Sequence, residues 1–266
     1  MRTAVLISGA PNFFEDTHAY IKNNILKFIG EYDVFVDMWE IDHEVKLNLN
    51  TLYSPILQNY EPFDENSKYK VLNFSSLTKN GVQSTTCFMW HKLYSGMNSI
   101  IEFSEINNIN YDLFLRIRLD FCPTTSLNED VFNKAKSKEN LICGVHVADN
   151  HAGDNFFCCH FDLLKKYRNF YLNFENFVKF FKYEKPEQFF YFQLNSLKIP
   201  IIEFPCHWLR VYNDPRITRD CNKALLFWNE EGKDRSVFFK DNGDMIKLFQ
   251  EKKNFFVKSN NIYLTD

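Results

Sequence analysis

Residues Arg116-Ile-Arg118-Leu-Asp120 put two guanidinium groups and a carboxylate within one short stretch, at the end of the apolar run that starts at Tyr111. Charges at the end of a buried strand are costly to desolvate unless they face a cleft and meet partners there. Two chemistries match. The arginines can receive a phosphate-bearing ligand by charge-assisted hydrogen bonds, with or without a divalent metal on Asp120. Alternatively, Asp120 pairs with one arginine in a structural ion network.

Composition narrows what else the chain can do. It has 266 residues and a formal net charge of −3, with a sequence pI near 6.2. Nothing in that balance attracts a phosphate backbone globally, so nucleic acid is not an expected partner. The seven cysteines are an odd number with no Cys-x-x-Cys pair, which argues against a disulfide framework and for a reducing cytosol. Cys158 and Cys159 are adjacent, so on a strand their side chains point to opposite sides. The histidines show no zinc spacing. The opening apolar run, Thr3 to Ile7, is too short for a signal peptide, and no stretch approaches the roughly 20 apolar residues of a membrane span. A soluble protein is expected, with peripheral attachment at the inner face of a membrane left open.

The elements that position the charged cluster follow from hydrophobic period and turn residues. Thr3–Ile7 reads as a buried parallel strand ending at Ser8-Gly9-Ala10-Pro11, where glycine permits a tight turn. Ile21, Ile25, Phe28 and Ile29 recur at helical spacing, with Asp16 or Thr17 as N-cap, and Asp33–Asp37 follows as a second strand leading to Trp39. This β-loop-α-β unit puts its first loop at the ligand edge of a parallel sheet. Ser8-Gly9 lacks the further glycines of a dinucleotide fingerprint and the Gly-Lys-Ser/Thr of a phosphate loop. Residues 41–68 read as a polar surface excursion and Lys70–Phe74 as a third strand. From Ser84, the spacing of Trp90, Leu93, Tyr94, Met97, Ile100 and Ile101 predicts the clearest amphipathic helix, whose start at Gln83 and whose His91-Lys92 can reach the edge that carries Asp120.

After Tyr111–Ile117, Phe121-Cys-Pro123 is expected to end the sheet edge. Leu141–Val147, Phe156–His160 and Ile199–Phe204 read as strands. Asp162 is expected to cap a helix burying Leu163, Leu164, Tyr167, Phe170, Tyr171 and Phe174, and Pro186 suits the first turn of another helix, with Glu187 near its positive end. Beyond Asn213 the pattern weakens. The expectation is one α/β domain over residues 1–212, a mostly parallel sheet flanked by helices, with residues 213–266 as a C-terminal extension packed on it.

In this order the chain resembles the GT-A-like glycosyltransferases, in particular a group associated with bacterial surface polysaccharides (capsule, lipooligosaccharide) and some large viruses. The resemblance rests on the opening strand with Ser8-Gly9, Asp33-Val-Phe-Val-Asp-Met-Trp39, Tyr111-Asp112, Arg116-Ile-Arg-Leu-Asp120, Gly153-Asp154-Asn155 and Pro186-Glu187. It implies a GT-A-like, Rossmann-type sheet binding a nucleotide-sugar donor at its carboxyl edge, and transfer to a glycan or glycolipid hydroxyl. It also implies a divalent metal, Mn²⁺ or Mg²⁺, on an Asp-x-Asp pair. Here that triplet is Arg118-Leu-Asp120, which leaves Asp120 as the single metal ligand or gives the diphosphate to Arg116 and Arg118. Ser8 and Gly9 would contact the nucleotide, or serve only as a turn. Asp154 is the first candidate general base, or a turn residue; Glu187 is the competing base, or a helix-start carboxylate. His207 would touch phosphate, or pack beside Trp208. His146, His151 and His160 have no partner readable from sequence.

The altered triplet also suits a nucleotide-sugar or glycan-binding protein without catalysis. A nucleotidyltransferase on a similar fold fits less well, because the first loop lacks a Gly-rich, basic run for a triphosphate.

Overall fold

A computed structural model describes residues 1–11, 14–123, 127, 129–144, 153–154, 156–180, 186–204, 208–212, 223–228 and 234–239. The strands in chain order are β1 (Arg2–Ser8), β2 (Glu31–Trp39), β3 (Leu57–Glu61), β4 (Leu113–Ile117), β5 (Phe121–Pro123), β6 (Leu141–Gly144), β7 (Phe156–His160), β8 (Ile201–Phe204), β9 (Trp208–Tyr212), β10 (Lys223–Trp228) and β11 (Asp234–Phe239). The helices are α1 (Phe14–Asn24), α2 (His43–Tyr53), α3 (Ser67–Lys70), α4 (Phe74–Lys79), α5 (Ser84–Ile106), α6 (Glu129–Ala135), α7 (Phe161–Tyr167), α8 (Phe174–Phe180) and α9 (Pro186–Ser196).

Seven strands form one sheet in the order β3-β2-β1-β4-β7-β6-β8. The run β3-β2-β1-β4 is parallel, β7 is antiparallel to β4 and β6, and β6 is parallel to β8. This is the expected α/β class with a mostly parallel sheet flanked by helices. The chain winds from β1 outward to β3 and then returns to place β4 on the other side of β1. That reversal opens a crevice at the carboxyl ends of β1 and β4, the usual ligand position in such sheets.

Alternation divides the core. Ala4, Leu6, Phe35, Phe114 and Phe157 face one way and pack with Trp90, Leu93 and Met97 of α5. Val5, Ile7, Val36, Leu115 and Ile117 face the other way, with Ile21 of α1 and Phe132 of α6. Cys158 and Cys159 fall on opposite faces, as adjacent strand residues must. Burial on both faces explains why β1 and β4 read as continuous apolar runs. No described helix is long and apolar enough to cross a membrane.

Several local expectations are corrected. Lys70–Phe74 is not a strand: α3 ends at Lys70 and α4 begins at Phe74, with Val71 buried between them. The third strand is β3, inside the stretch expected to be irregular. Its Asn59 and Glu61 bond the buried groups Asp37 and Lys92, so β3 has no apolar alternation to read. Asp16 and Thr17 lie inside α1, and the Thr17 hydroxyl donates to the Leu119 carbonyl at 2.7 Å instead of capping. Helix α1 ends at Asn24, and a 3₁₀ turn (Leu26–Phe28) carries the chain on to Ile29.

Asp162 lies within the first turn of α7, whose cap is His160: its Nδ1 accepts from the Asp162 N–H at 3.1 Å. The expected single helix after it is α7, a 3₁₀ segment (Arg168–Asn173) and α8. Phe121–Pro123 does not simply end the sheet; it pairs with β9 in a second, antiparallel sheet of order β11-β10-β9-β5. Strand β6 is described to Gly144. His146, His151, Asn155 and His207 lie outside the described residues.

Candidate active site

A cavity of about 700 Å³ lies at the carboxyl ends of β1, β2 and β4. Ser8, Gly9, Arg116, Arg118, Asp120, Asp154 and Glu187 all border it. Strand β1 delivers Ser8, buried at 2 % exposure, and Gly9 then turns the chain at φ +117°, in the region that favours glycine. Strand β4 delivers Arg116, which pairs in register with Leu6 and points to the α5 side. Arg118 follows the strand end. Helix α9 delivers Glu187 in its first turn, after Pro186 at the start of the helix.

Arg118 forks Asp120: Nε reaches Oδ1 at 2.9 Å and Nη2 reaches Oδ2 at 2.7 Å. Its Nη1 lies 3.7 Å from Asp154 Oδ2 and 3.8 Å from the Met89 sulfur of α5. The ion pair between Asp120 and one arginine is therefore present, inside the cavity that also holds the other charged groups. Burial works against the Arg118 cation, but Asp120 and then Asp154 outweigh it and hold its pKa above the ordinary value.

Arg116 is fully buried, and Nε, Nη1 and Nη2 have no hydrogen-bond partner among the described residues. Burial lowers its pKa to about 10, against the opposing pull of Asp154, so it remains a cation at neutral pH. Among the described residues, Asp154 Oδ2, at 2 % exposure of the residue, and the Ser8 hydroxyl likewise have no hydrogen-bond partner. Buried polar groups are normally satisfied, so three such groups around one cavity mark a place built for polar ligand atoms.

The described residues do not fit a divalent metal. Both Asp120 oxygens are engaged by Arg118, and no group of three or more His, Cys, Asp or Glu side chains among the described residues is arranged to hold an ion. A divalent cation would have to take Asp120 from Arg118, would draw its other ligands from waters and substrate phosphates, and would lie beside two guanidinium charges here.

Sequence reading missed Trp39, Phe88 and Met89 as cavity walls. Trp39 follows directly from the end of β2 in a parallel sheet, so topology was the available signal. Gln83, Thr85 and Thr86 at the start of α5 do border the cavity, whereas His91 and Lys92 do not. Lys92 is fully buried, with Nζ 2.9 Å from Asp37 Oδ1 and 2.6 Å from Glu61 Oε1, and it lies 4.8 Å from the Trp39 ring centroid.

No family model matches the chain, and no curated protein matches it. Solved structures with a similar chain path include core-mannan synthase A from Aspergillus fumigatus in its Mn/GDP form, at 13 % identity and TM-score 0.47, covering 78 % of this chain and 74 % of that one. A mannosyltransferase from S. cerevisiae matches at 12 % identity and TM-score 0.44, over 77 % and 69 % of the two chains. Mouse xyloside xylosyltransferase 1 matches at 8 % identity and TM-score 0.40, over 77 % and 85 %. At these identities no residue role is carried across.

Proposed function

We propose that this chain is a glycosyltransferase that moves a sugar from a nucleotide-sugar donor to a hydroxyl of a glycan or glycolipid acceptor, with residues 1–212 as the catalytic domain and residues 213–266 as an extension. The observation that carries this reading is the convergence of Arg116, Arg118, Asp154 and Glu187 with the Ser8-Gly9 turn around one cavity at the switch point of the sheet. The order of motifs resembling surface-polysaccharide enzymes favours an acceptor of the capsule or lipooligosaccharide kind.

In this reading the acceptor oxygen attacks the anomeric carbon as the bond from that carbon to the diphosphate oxygen breaks. The electron pair leaves with the nucleoside diphosphate, and the acceptor proton passes to a carboxylate. Asp154 is the first candidate, because it borders the cavity and its Oδ2 has no hydrogen-bond partner among the described residues; Glu187 is the second carboxylate bordering the same cavity. Direct displacement inverts the anomeric configuration. Cationic donors fixed before the reaction stabilise charge on the departing diphosphate without reorganising.

The test is a thermal-shift screen of nucleoside diphosphates and nucleotide sugars, followed by transfer assays on wild type, Asp154→Asn and Glu187→Gln. The variant of the base should lose transfer while keeping donor binding, and the product of the wild type should be inverted by NMR. Full transfer by both variants would remove the carboxylate base, and no stabilisation by any nucleotide would remove the donor class.

A further inference from the structure

We propose that the diphosphate is held by Arg118 and Arg116 together with the N-terminus of α5, in place of a divalent metal, and that Asp120 occupies the Arg118 fork until the ligand arrives. This rests on the nucleotide-sugar reading above and specifies how that site meets its anion.

Three observations converge. Arg118 presents a planar fork closed on both Asp120 oxygens, the geometry that guanidinium groups offer equally to phosphate. Arg116 borders the same cavity as a fully buried cation whose three nitrogens have no hydrogen-bond partner among the described residues. Desolvating a guanidinium without acceptors is expensive, so its place at the cavity floor calls for acceptor-rich atoms there. Helix α5 then opens on the cavity at Gln83, Thr85 and Thr86, with no acidic residue in its first turn and no side-chain cap from Gln83. The positive dipole end of a helix favours an anion. Met89, in the second turn of the same helix, lies 3.8 Å from Arg118 Nη1 through its sulfur, so the fork packs against the first two turns of α5.

Asp120 has a clear part in this scheme. As a metal ligand it would have to leave Arg118 for the cation. As a stand-in it needs only to yield the fork to a phosphate of the same geometry.

The test uses the full chain dialysed against EDTA and titrated calorimetrically with UDP, GDP and CDP, with and without Mn²⁺ or Mg²⁺. A nucleoside diphosphate should bind the metal-free protein, and added metal should change Kd by less than about threefold, well under the tenfold of one strong contact. Arg118→Met should weaken metal-free binding by roughly 10–100-fold, the loss of charge-assisted hydrogen bonds. Should that variant melt early, Arg118→Lys keeps the charge but loses the fork, and should also bind more weakly. Asp120→Asn should retain or tighten metal-free binding, because it weakens the competitor for the fork. Binding that requires Mn²⁺ or Mg²⁺ and disappears in Asp120→Asn would overturn the arginine clamp and leave the nucleotide-sugar reading standing. Absence of binding with and without metal would overturn both.

Discussion

Replacing Lys92 by Met tests the buried support beneath the cavity. Lys92 is fully buried, forms an ion pair with Asp37 Oδ1 at 2.9 Å and donates to Glu61 Oε1 at 2.6 Å. Asp37 is itself buried, and Asn59 and Ser95 complete its shell at 3.1 and 2.8 Å. Methionine fills much of the lysine volume, so the loss is mainly the cation that compensates two carboxylates. Removing one partner of a buried pair costs about 3–5 kcal/mol. At about 2–4 °C per kcal/mol for a chain near this size, Tm should fall by roughly 6–20 °C.

The acid side of the stability curve gives a second signature. Burial raises the Asp37 pKa, which Lys92 offsets only in part. Burial also pushes Glu61 upward, but Lys92 overcomes it and leaves that carboxyl below its ordinary value. In the wild type, the Glu61 contribution is present above its unfolded pKa and lost as pH falls through the lower folded value. In Lys92→Met its largest source is gone, and Lys70 and His91 still face Glu61 at 3.6 and 3.8 Å. The raised Asp37 carboxyl then gains stability on taking a proton, so the deficit against wild type should narrow as pH falls from neutral. Thermal melts across pH, with a double-mutant cycle against Asp37→Asn, provide the assay. The double variant should cost less than the sum of the singles by about 0.5–3 kcal/mol. A loss below about 1 kcal/mol, or strictly additive losses, would refute the account of Lys92 as the charge that this network is built around.

Other substitutions probe single features. A methyl group at Gly96 would meet Leu6 Cδ1 at 2.6 Å and Asp37 Cβ at 3.1 Å. Gly96→Ala gains about 1 kcal/mol of helix propensity against about 1–3 kcal/mol of overpacking, so melts should show a lower Tm and not the rise expected of an open helical site. Gly9→Ala meets no atom within 4 Å but keeps a φ of +117°, so its loss in denaturant titration should be of order 1–3 kcal/mol and come from backbone strain alone. Burial lowers the His91 pKa from the ordinary 6.5, so wild-type Tm should drop as the unfolded chain takes up protons below that pH. His91→Phe should reduce this drop without removing it, since burial shifts His18 in the same direction.

The parts legible in sequence are those whose period is set by burial alone. Strands β1 and β4 are buried on both faces, and α5 carries Trp90, Leu93, Met97 and Ile100 at 0 % exposure, so apolar spacing marks them. Strand β3 was invisible for the opposite reason: Asn59 and Glu61 are spent on Asp37 and Lys92. The signal for that network was Asp37 inside the apolar run Val34–Met38, a charge that must find a partner. The antiparallel insertion of β7 between β4 and β6 is also non-local; short apolar runs show strands but not their neighbours. At the site, Arg116 and Asp120 stood out by type and spacing. That Asp120 closes onto Arg118, leaving Arg116 without a hydrogen bond among the described residues, depends on side-chain geometry.

Helix α5 links the two polar clusters. Met89, Lys92 and Gly96 follow one another at i, i+3 and i+7, so they share a face turned to the sheet. Met89 touches Arg118, Lys92 ties the helix to Asp37 and Glu61, and Gly96 lets the helix approach β1 and β2 closely enough for those bonds to form. Trp39 completes the link, lying beside Lys92 on one side and walling the cavity on the other. The cost of burying Lys92 with two carboxylates is thus matched by a defined height and rotation for α5, and its N-terminus opens on the cavity that Arg116 and Arg118 border. A shift of that helix would move the dipole end, Met89 and Trp39 together. Variants at Lys92 should accordingly weaken nucleoside diphosphate binding, although Lys92 does not border the cavity.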